Sequence, residues 1–232
     1  MSKKLIALFT AFFMLLSLSA CSEQKTQPIR IDIPSPIKNL DPQFATDMIA
    51  QTIIANTFEG LVRKTIDGEI VPAVAESFTV SPDLKTYTFH LRKDVLWQND
   101  TPVTAHDFVF AFQRMFHPQV PSPFAQQYIM IENAPQVLSG ELPNSLLGVK
   151  AKDDYTLIFT LSKASPLFLE RLCEPSASPC NETFFNETRA RYGLGKGYIM
   201  GNGVFTISSW DNEKSIVIKG IRMSIMLSKP VK

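Results

Sequence analysis

The side chains in this 232-residue chain that could carry metal or nucleophilic chemistry are three histidines, three cysteines and scattered carboxylates. His90, His106 and His117 fall on separate elements, with no ligand spacing relative to Cys173 or Cys180, so no metal is expected. No G-x-S-x-G elbow and no His-Glu-x-x-His pair occurs. Asp153 and Asp154 lie in a turn between two strand-like runs, where paired carboxylates are solvated. The run Arg191-Tyr-Gly-Leu-Gly-Lys-Gly197 lacks the register of a phosphate-binding loop, and no Ser or Thr follows Lys196. These patterns point to no catalytic residue and no cofactor, and the chain reads as a protein that is not an enzyme.

Cys21 stands apart. Lys3 and Lys4 form a charged start, Leu5 to Ala20 is apolar without a charge, and Leu18-Ser19-Ala20 precedes the thiol. The apolar run is shorter than the ~20 residues a spanning helix needs. It ends on small residues, as a cleaved signal does. The expected chemistry is lipid attachment at Cys21. Residues 1–20 then read as a lipoprotein signal peptide and residues 21–28 as a polar tether. The mature chain is expected outside the cytoplasm, anchored to the cell membrane. Export permits a disulfide, so Cys173 and Cys180 are open between a bridge and two free thiols.

Lys and Arg number 23 against 22 Asp and Glu, a net charge of +1, which leaves no nucleic-acid footprint. The 45% hydrophobic content is that of a globular chain.

Around these residues the elements follow from periodicity. Ile29 to Ile33 alternates as a short strand. Thr46 or Asp47 can cap a helix whose stripe is Ala50, Ile53, Ile54, Thr57, Phe58 and Leu61, with Gly60 as a stop. Asp67-Gly68 is a hairpin turn between Val62 and Ile70. Tyr87, Phe89 and Leu91 alternate with Thr88, His90 and Arg92 as a half-buried strand. After the turn at Asn99-Asp100, Thr104 and Asp107 form a capping-box pattern. Phe108, Ala111, Phe112 and Met115 then share one helix face, with Phe110 opposite. Tyr155, Leu157, Phe159 and Leu161 alternate in a second hairpin, and Ser215 to Lys219 is a late strand.

The stretch Tyr87-Thr-Phe89-His-Leu91-Arg92, Trp97-Gln-Asn99-Asp100, Thr101-Pro102-Val-Thr104-Ala105-His-Asp107 resembles the signature of the family 5 solute-binding proteins. These are the peptide-, dipeptide- and nickel-binding receptors of bacterial ABC importers. Asn39-Leu40-Asp41-Pro42, Phe58-Glu59-Gly60-Leu61, Pro72-Ala-Val-Ala-Glu76-Ser77, Ser122-Pro123-Phe124-Ala125 and Gly201-Asn-Gly203-Val-Phe205 match the family in order. Asp100 replaces the usual Gly, and Phe124 replaces a Tyr and so lacks its hydroxyl. The extension Asp107-Phe-Val-Phe-Ala-Phe-Gln-Arg114 looks most like the oligopeptide-binding branch.

The resemblance implies an α/β fold of the periplasmic-binding-protein-like type II class. It covers residues 29–219 as the first lobe only, truncated before the second lobe, with 220–232 as a non-matching tail. It implies an oligopeptide ligand, a membrane ABC permease as partner, and a monomer. The L-D-P element would lead into a cleft-lining loop, with Thr46, Asp47, Met48 and Phe124 as ligand-binding residues. A receptor for nickel or another small solute, and a non-functional remnant or passive surface lipoprotein, remain as alternatives. Without later strands, Ser215 to Lys219 is expected as an exposed edge carrying Ile216 and Ile218, followed by a poorly ordered tail.

Overall fold

A computed structural model of the chain describes residues 29–32, 36–211 and 215–220. The expectations on Cys21, on the signal and tether, and on the tail beyond Gly220 lie outside the described residues. In chain order the strands are β1 (Ile29–Asp32), β2 (Val62–Lys64), β3 (Ile70–Pro72), β4 (Ala75–Val80), β5 (Thr86–Leu91), β6 (Val149–Asp153), β7 (Thr156–Thr160), β8 (Phe205–Asp211) and β9 (Ser215–Gly220). The α-helices are α1 (Met48–Thr57), α2 (Ala105–Met115), α3 (Ala134–Ser139), α4 (Phe168–Arg171) and α5 (Glu182–Glu187).

The alternation at Tyr87, Phe89 and Leu91 buries those three side chains and leaves His90 exposed. Their strand, β5, is central in an antiparallel sheet of order β4-β5-β7-β6. Phe89 pairs with Phe78 on one side and Leu157 on the other. Helix α2 crosses one face of this sheet, against β6 and β7. Phe108, Phe112 and Met115 are fully buried there. Phe112 meets Phe159 edge-on at 5.1 Å and Tyr128 at 5.3 Å, and Phe159 in turn meets Phe168 at 5.3 Å. Such edge-to-face pairs each add ~0.5–1.5 kcal/mol beyond their burial.

The β5–α2 connection is built by short-range hydrogen bonds. Trp97 N donates to Thr101 O (2.8 Å) and Asp100 N to Trp97 O (3.0 Å). Asp100 has φ +64°, a left-handed conformation that Asp tolerates, which accounts for Gly at this place in the family pattern. Thr104 N donates to Asp107 Oδ2 at 2.7 Å, so the first turn of α2 carries its own counter-charge.

Asp47 caps α1 by accepting from Ile49 N and Ala50 N, both at 2.9 Å. Ala50, Ile53, Ile54 and Thr57 are buried as the stripe requires. The helix ends at Thr57, earlier than the Gly60 stop read from the sequence. Phe58 is extended (φ −121°, ψ 155°), and a tertiary partner replaces the expected glycine cap. The Asn202 side chain accepts from Glu59 N (3.0 Å) and donates to Glu59 O (2.9 Å), while Gly203 N donates to Thr57 O (3.0 Å). A Cβ at Gly201 would lie 2.0 Å from Thr57 O, so this approach requires glycine there.

Strand β9 corrects another expectation. It is the middle strand of a sheet of order β1-β9-β8, antiparallel to both neighbours, and Ile216 and Ile218 are buried. The early strand β1 covers the edge that local reading leaves open. The Asp67-Gly68 turn joins β2 and β3 as expected, with Gly68 at φ +84°. Cys173 and Cys180 are free thiols, the first half-buried and the second buried.

Candidate functional site

The segment between β1 and α1 is the place to build from. Asn39 Oδ1 accepts from Asp41 N (2.8 Å), and Asp41 Oδ1 accepts from Gln43 N (3.0 Å), so Asn39-Leu-Asp41-Pro-Gln43 folds on itself. Leu40 N donates to Gly193 O (2.8 Å). Gly193 has φ +75°, and a Cβ there would lie 2.4 Å from Asp41 N.

Asp41 and Gln43 are both buried, at 5% and 0% exposure. Their partner is Arg114 on the outward face of α2. Its Nη2 donates to Asp41 Oδ2 at 2.5 Å, and its Nη1 to Gln43 Oε1 at 2.9 Å and Cys180 Sγ at 3.3 Å. The guanidinium lies 4.1 Å from the Phe185 ring centre, 5.1 Å from that of Tyr192 and 5.5 Å from that of Phe44. A buried ion pair persists only when its remaining hydrogen-bonding capacity is filled. Burial raises the Asp41 carboxyl above its usual range, and the Arg114 charge offsets part of that rise. Burial pushes the neighbouring Cys180 thiol up to about 12, so it stays protonated and inert.

Gln43 extends the latch. Its Nε2 donates to Ser178 O (2.9 Å) and Ser176 O (3.2 Å), and its own carbonyl accepts from Ser122 Oγ. Ser122 Oγ accepts from Phe124 N at 3.0 Å. The loop before α1 is therefore hydrogen-bonded to the segment that carries Phe124.

The four ligand-binding residues expected from the sequence lie on either side of this link. Thr46, Asp47 and Met48 are exposed, Met48 at 82%. The Asp47 carboxylate is occupied as the α1 cap, whereas Thr46 and Met48 face solvent without such a duty. Phe124 is half-buried and packs against the main core. Asp41 itself, within the L-D-P loop, is buried, and its carboxylate is taken by Arg114 and Gln43 N. The sequence reading missed the Asp41–Gln43–Arg114 latch, because no local spacing links residues 73 positions apart. The available signal was a cation, Arg114, one turn beyond Phe110 on the second face of α2.

Two cavities border α1 elsewhere. One of about 270 Å³ is lined by Phe58, Glu59, Gly60, Cys173, Glu174 and Gly203, among others. Burial raises the Glu59 carboxyl in its wall. A smaller one of about 160 Å³ lies against Thr57, Gln98, Lys196 and Gly201. Neither touches Thr46–Met48 or Phe124. Among the described residues, no three His, Cys, Asp or Glu side chains converge as a metal site, and no helix is long and apolar enough to cross a membrane.

Residues 69–220 match the model of the bacterial extracellular solute-binding proteins, family 5, and the chain belongs to this family. The chain is 39% identical to the periplasmic oligopeptide-binding protein OppA of Escherichia coli over 187 residues, which are 80% of this chain and 34% of that protein. A crystal structure of the substrate-binding domain of an oligopeptide ABC transporter from Bacillus anthracis superposes with a TM-score of 0.80 at 41% identity, covering 82% of this chain and 37% of that one. Haemophilus influenzae OppA, solved in complex with the peptide RPPGFSPFR, gives 0.75 at 31%, covering 80% and 36%. The chain thus spans about a third of the length of these relatives, and over that third it has the α/β periplasmic-binding-protein-like fold expected from the sequence.

Proposed function

We propose that the chain supplies one lobe of a peptide receptor serving an ABC importer, held outside the cytoplasm by a lipid on Cys21. The observation that carries this reading is the Gln43–Ser122–Phe124 link. It ties the loop that leads into the exposed Thr46–Met48 segment to the segment that carries Phe124, and in this reading the two segments border one peptide surface. An extended peptide laid there takes strand-like hydrogen bonds from the backbone, which read length and direction and tolerate many side chains. Closure of a second lobe over the peptide, and docking of the closed form on a membrane permease, complete the cycle. The receptor works as a monomer. The family's named peptide receptors support this choice of ligand. The proposed division is 1–20 signal, 21–28 tether, 29–219 lobe and 220–232 tail, although β9 runs one residue into that tail, pairing Gly220 with Phe205.

The test is an amide-shift titration of the isotope-labelled chain with a neutral pentapeptide. Saturable shifts are expected at Thr46–Met48 and at Ser122–Ala125, with weak affinity, since a single lobe leaves half the peptide in water. Shifts confined to other surfaces, or none, would overturn the site. Cys21→Ser should move the protein from the membrane to the soluble or precursor fraction; identical fractionation would remove the anchor.

A further inference from the structure

Gln43 is fully buried, yet it bonds to segments far apart in the chain. The two ends of its amide are not interchangeable. Oε1 accepts from Arg114 Nη1 at 2.9 Å, and Nε2 donates to Ser178 O (2.9 Å) and Ser176 O (3.2 Å). Turned over, the amide would set an NH2 against a guanidinium and an oxygen against two carbonyls. The position therefore needs a donor and an acceptor in one neutral group of this length.

These bonds lead to both ends of the peptide surface. On one side, Phe44 N (3.0 Å) and Ala45 N (2.8 Å) donate to Asp41 O, and the Gln51 amide of α1 donates to Ala45 O. The chain thus enters Thr46–Met48 from a turn closed around Gln43. On the other side, Phe124 is held from both flanks. Ser122 Oγ, which accepts from Phe124 N, donates to Gln43 O. Phe124 is followed by the single turn Ala125–Tyr128. The Tyr128 hydroxyl donates to Arg171 O (2.9 Å) and so accepts from Ser176 Oγ (2.9 Å), in the segment whose carbonyls take the Gln43 amide. Both routes away from Phe124 return to Gln43.

We propose, resting on the peptide surface described above, that Gln43 is its positioning residue: it touches no peptide, but its amide sets how Thr46–Met48 and Phe124 stand relative to each other, and with that their joint grip on a peptide. Gln43→Glu tests this, because it keeps the shape and makes the donor depend on a proton. Ionised, it sets an oxygen against Ser176 O and Ser178 O; protonated, its hydroxyl donates to one of them. The charged or titratable groups around it are Asp41 in its own loop, Arg114 on α2, Cys180 and Tyr192 behind Arg114, and Tyr128 behind Ser176. Asp41, raised by burial, titrates at the acid end, so each variant is read against the parent at the same pH.

Gln43→Glu should bind the neutral pentapeptide roughly tenfold more weakly than the parent at about pH 8 and recover most of that by about pH 5. Gln43→Leu should stay roughly tenfold weaker at both. Parent-like binding by Gln43→Leu, or an equal loss in Gln43→Glu at both pH values, overturns the assignment. Hydrogen exchange without peptide separates Gln43 from the site it serves. Gln43→Leu should speed exchange at Ala45 and Phe124 together. If the parent binds no peptide, the peptide surface falls and this exchange alone decides Gln43: faster exchange at both amides upholds the link, and no change overturns it. Should Gln43→Leu fail to fold, Ser122→Ala cuts the link from its other end. It should speed exchange at Ala45, across the link, and weaken the pentapeptide roughly tenfold; an unchanged Ala45 with parent-like binding overturns the assignment.

Discussion

The two faces of α2 are held by different physics. Toward the sheet, Phe108, Phe112 and Met115 are fully buried among Phe159, Tyr128 and other apolar groups. On the outward face, Phe110 packs on Phe185 at 5.4 Å, and Arg114 binds Asp41, Gln43 and Cys180 under three aromatic rings. Apolar burial is non-directional, so any neighbour of suitable volume serves the inner face. The outer face needs particular atoms at particular angles. The inner face therefore stabilises the lobe, and the outer one fixes which loop lies over the helix. In this family member that loop leads directly to Thr46–Met48.

The largest expected effect is on the inner face. Phe112→Ala removes a ring that meets two other rings and leaves a cavity between helix and sheet. It should cost about 3–5 kcal/mol in denaturant unfolding. A cost below about 1 kcal/mol would mean that the helix collapses onto the sheet and that the packing is not specific.

The outer face should behave differently. Arg114→Met alone leaves the Asp41 carboxylate buried without its counter-charge and should cost about 3–5 kcal/mol. Adding Asp41→Asn should recover much of that loss, because the double variant buries no charge. The pair's role would then be to hold the loop in place. Simple addition of the two single costs would show that the ion pair has no such mutual dependence.

An alkaline titration separates the faces again. Cys180 holds its proton to about 12 in the fold, against an ordinary value near 9. Below the unfolded value both states are protonated and stability is full. As pH rises past it, the unfolded chain loses the proton first, so stability falls until the folded thiol ionises. The slope for one such group approaches about 1.4 kcal/mol per pH unit. Burial also raises Tyr192 beside it, which adds a loss in the same direction at higher pH. Cys180→Ala should flatten the fall above pH 9, whereas Phe112→Ala should shift the curve down without changing its slope. An unchanged slope in Cys180→Ala would remove the thiol from this account.

How much of this was legible follows the same division. The alternation at Tyr87–Leu91, the stripe on α2, the Thr104–Asp107 cap and the Asp67-Gly68 turn are all set by neighbours within a few residues, and each is where the sequence puts it. The end of α1 was misread because Asn202, far along the chain, supplies the groups that stop it. Strand β9 was recognised as a strand but misplaced at an edge, because its second partner is β1 at the start of the fold. Asp41 read as a turn residue in a cleft loop, while its burial is decided by Arg114. Of the candidate site, Thr46, Asp47, Met48 and Phe124 were legible only through the family resemblance. The Gln43–Ser122 bond that joins their segments has no local signature.

The smallest expected effect isolates burial from charge. Lys64 Nζ and Glu170 Oε1 are 3.3 Å apart, linking β2 to α4, so the pair looks as specific as Asp41–Arg114. Its side chains are 49% and 48% exposed, against 10% and 7% for Arg114 and Asp41. In that setting water already solvates both charges, salt screens them, and fixing two long side chains costs entropy. Lys64→Met should therefore change stability by no more than about 1 kcal/mol, and raising the ionic strength should erase the difference. The same rise in salt should barely affect the cost of Arg114→Met, whose partner lies out of reach of mobile ions. If Lys64→Met proved as costly as Arg114→Met, distance alone would govern these pairs, and the contrast between the buried latch and the solvated surface would fail.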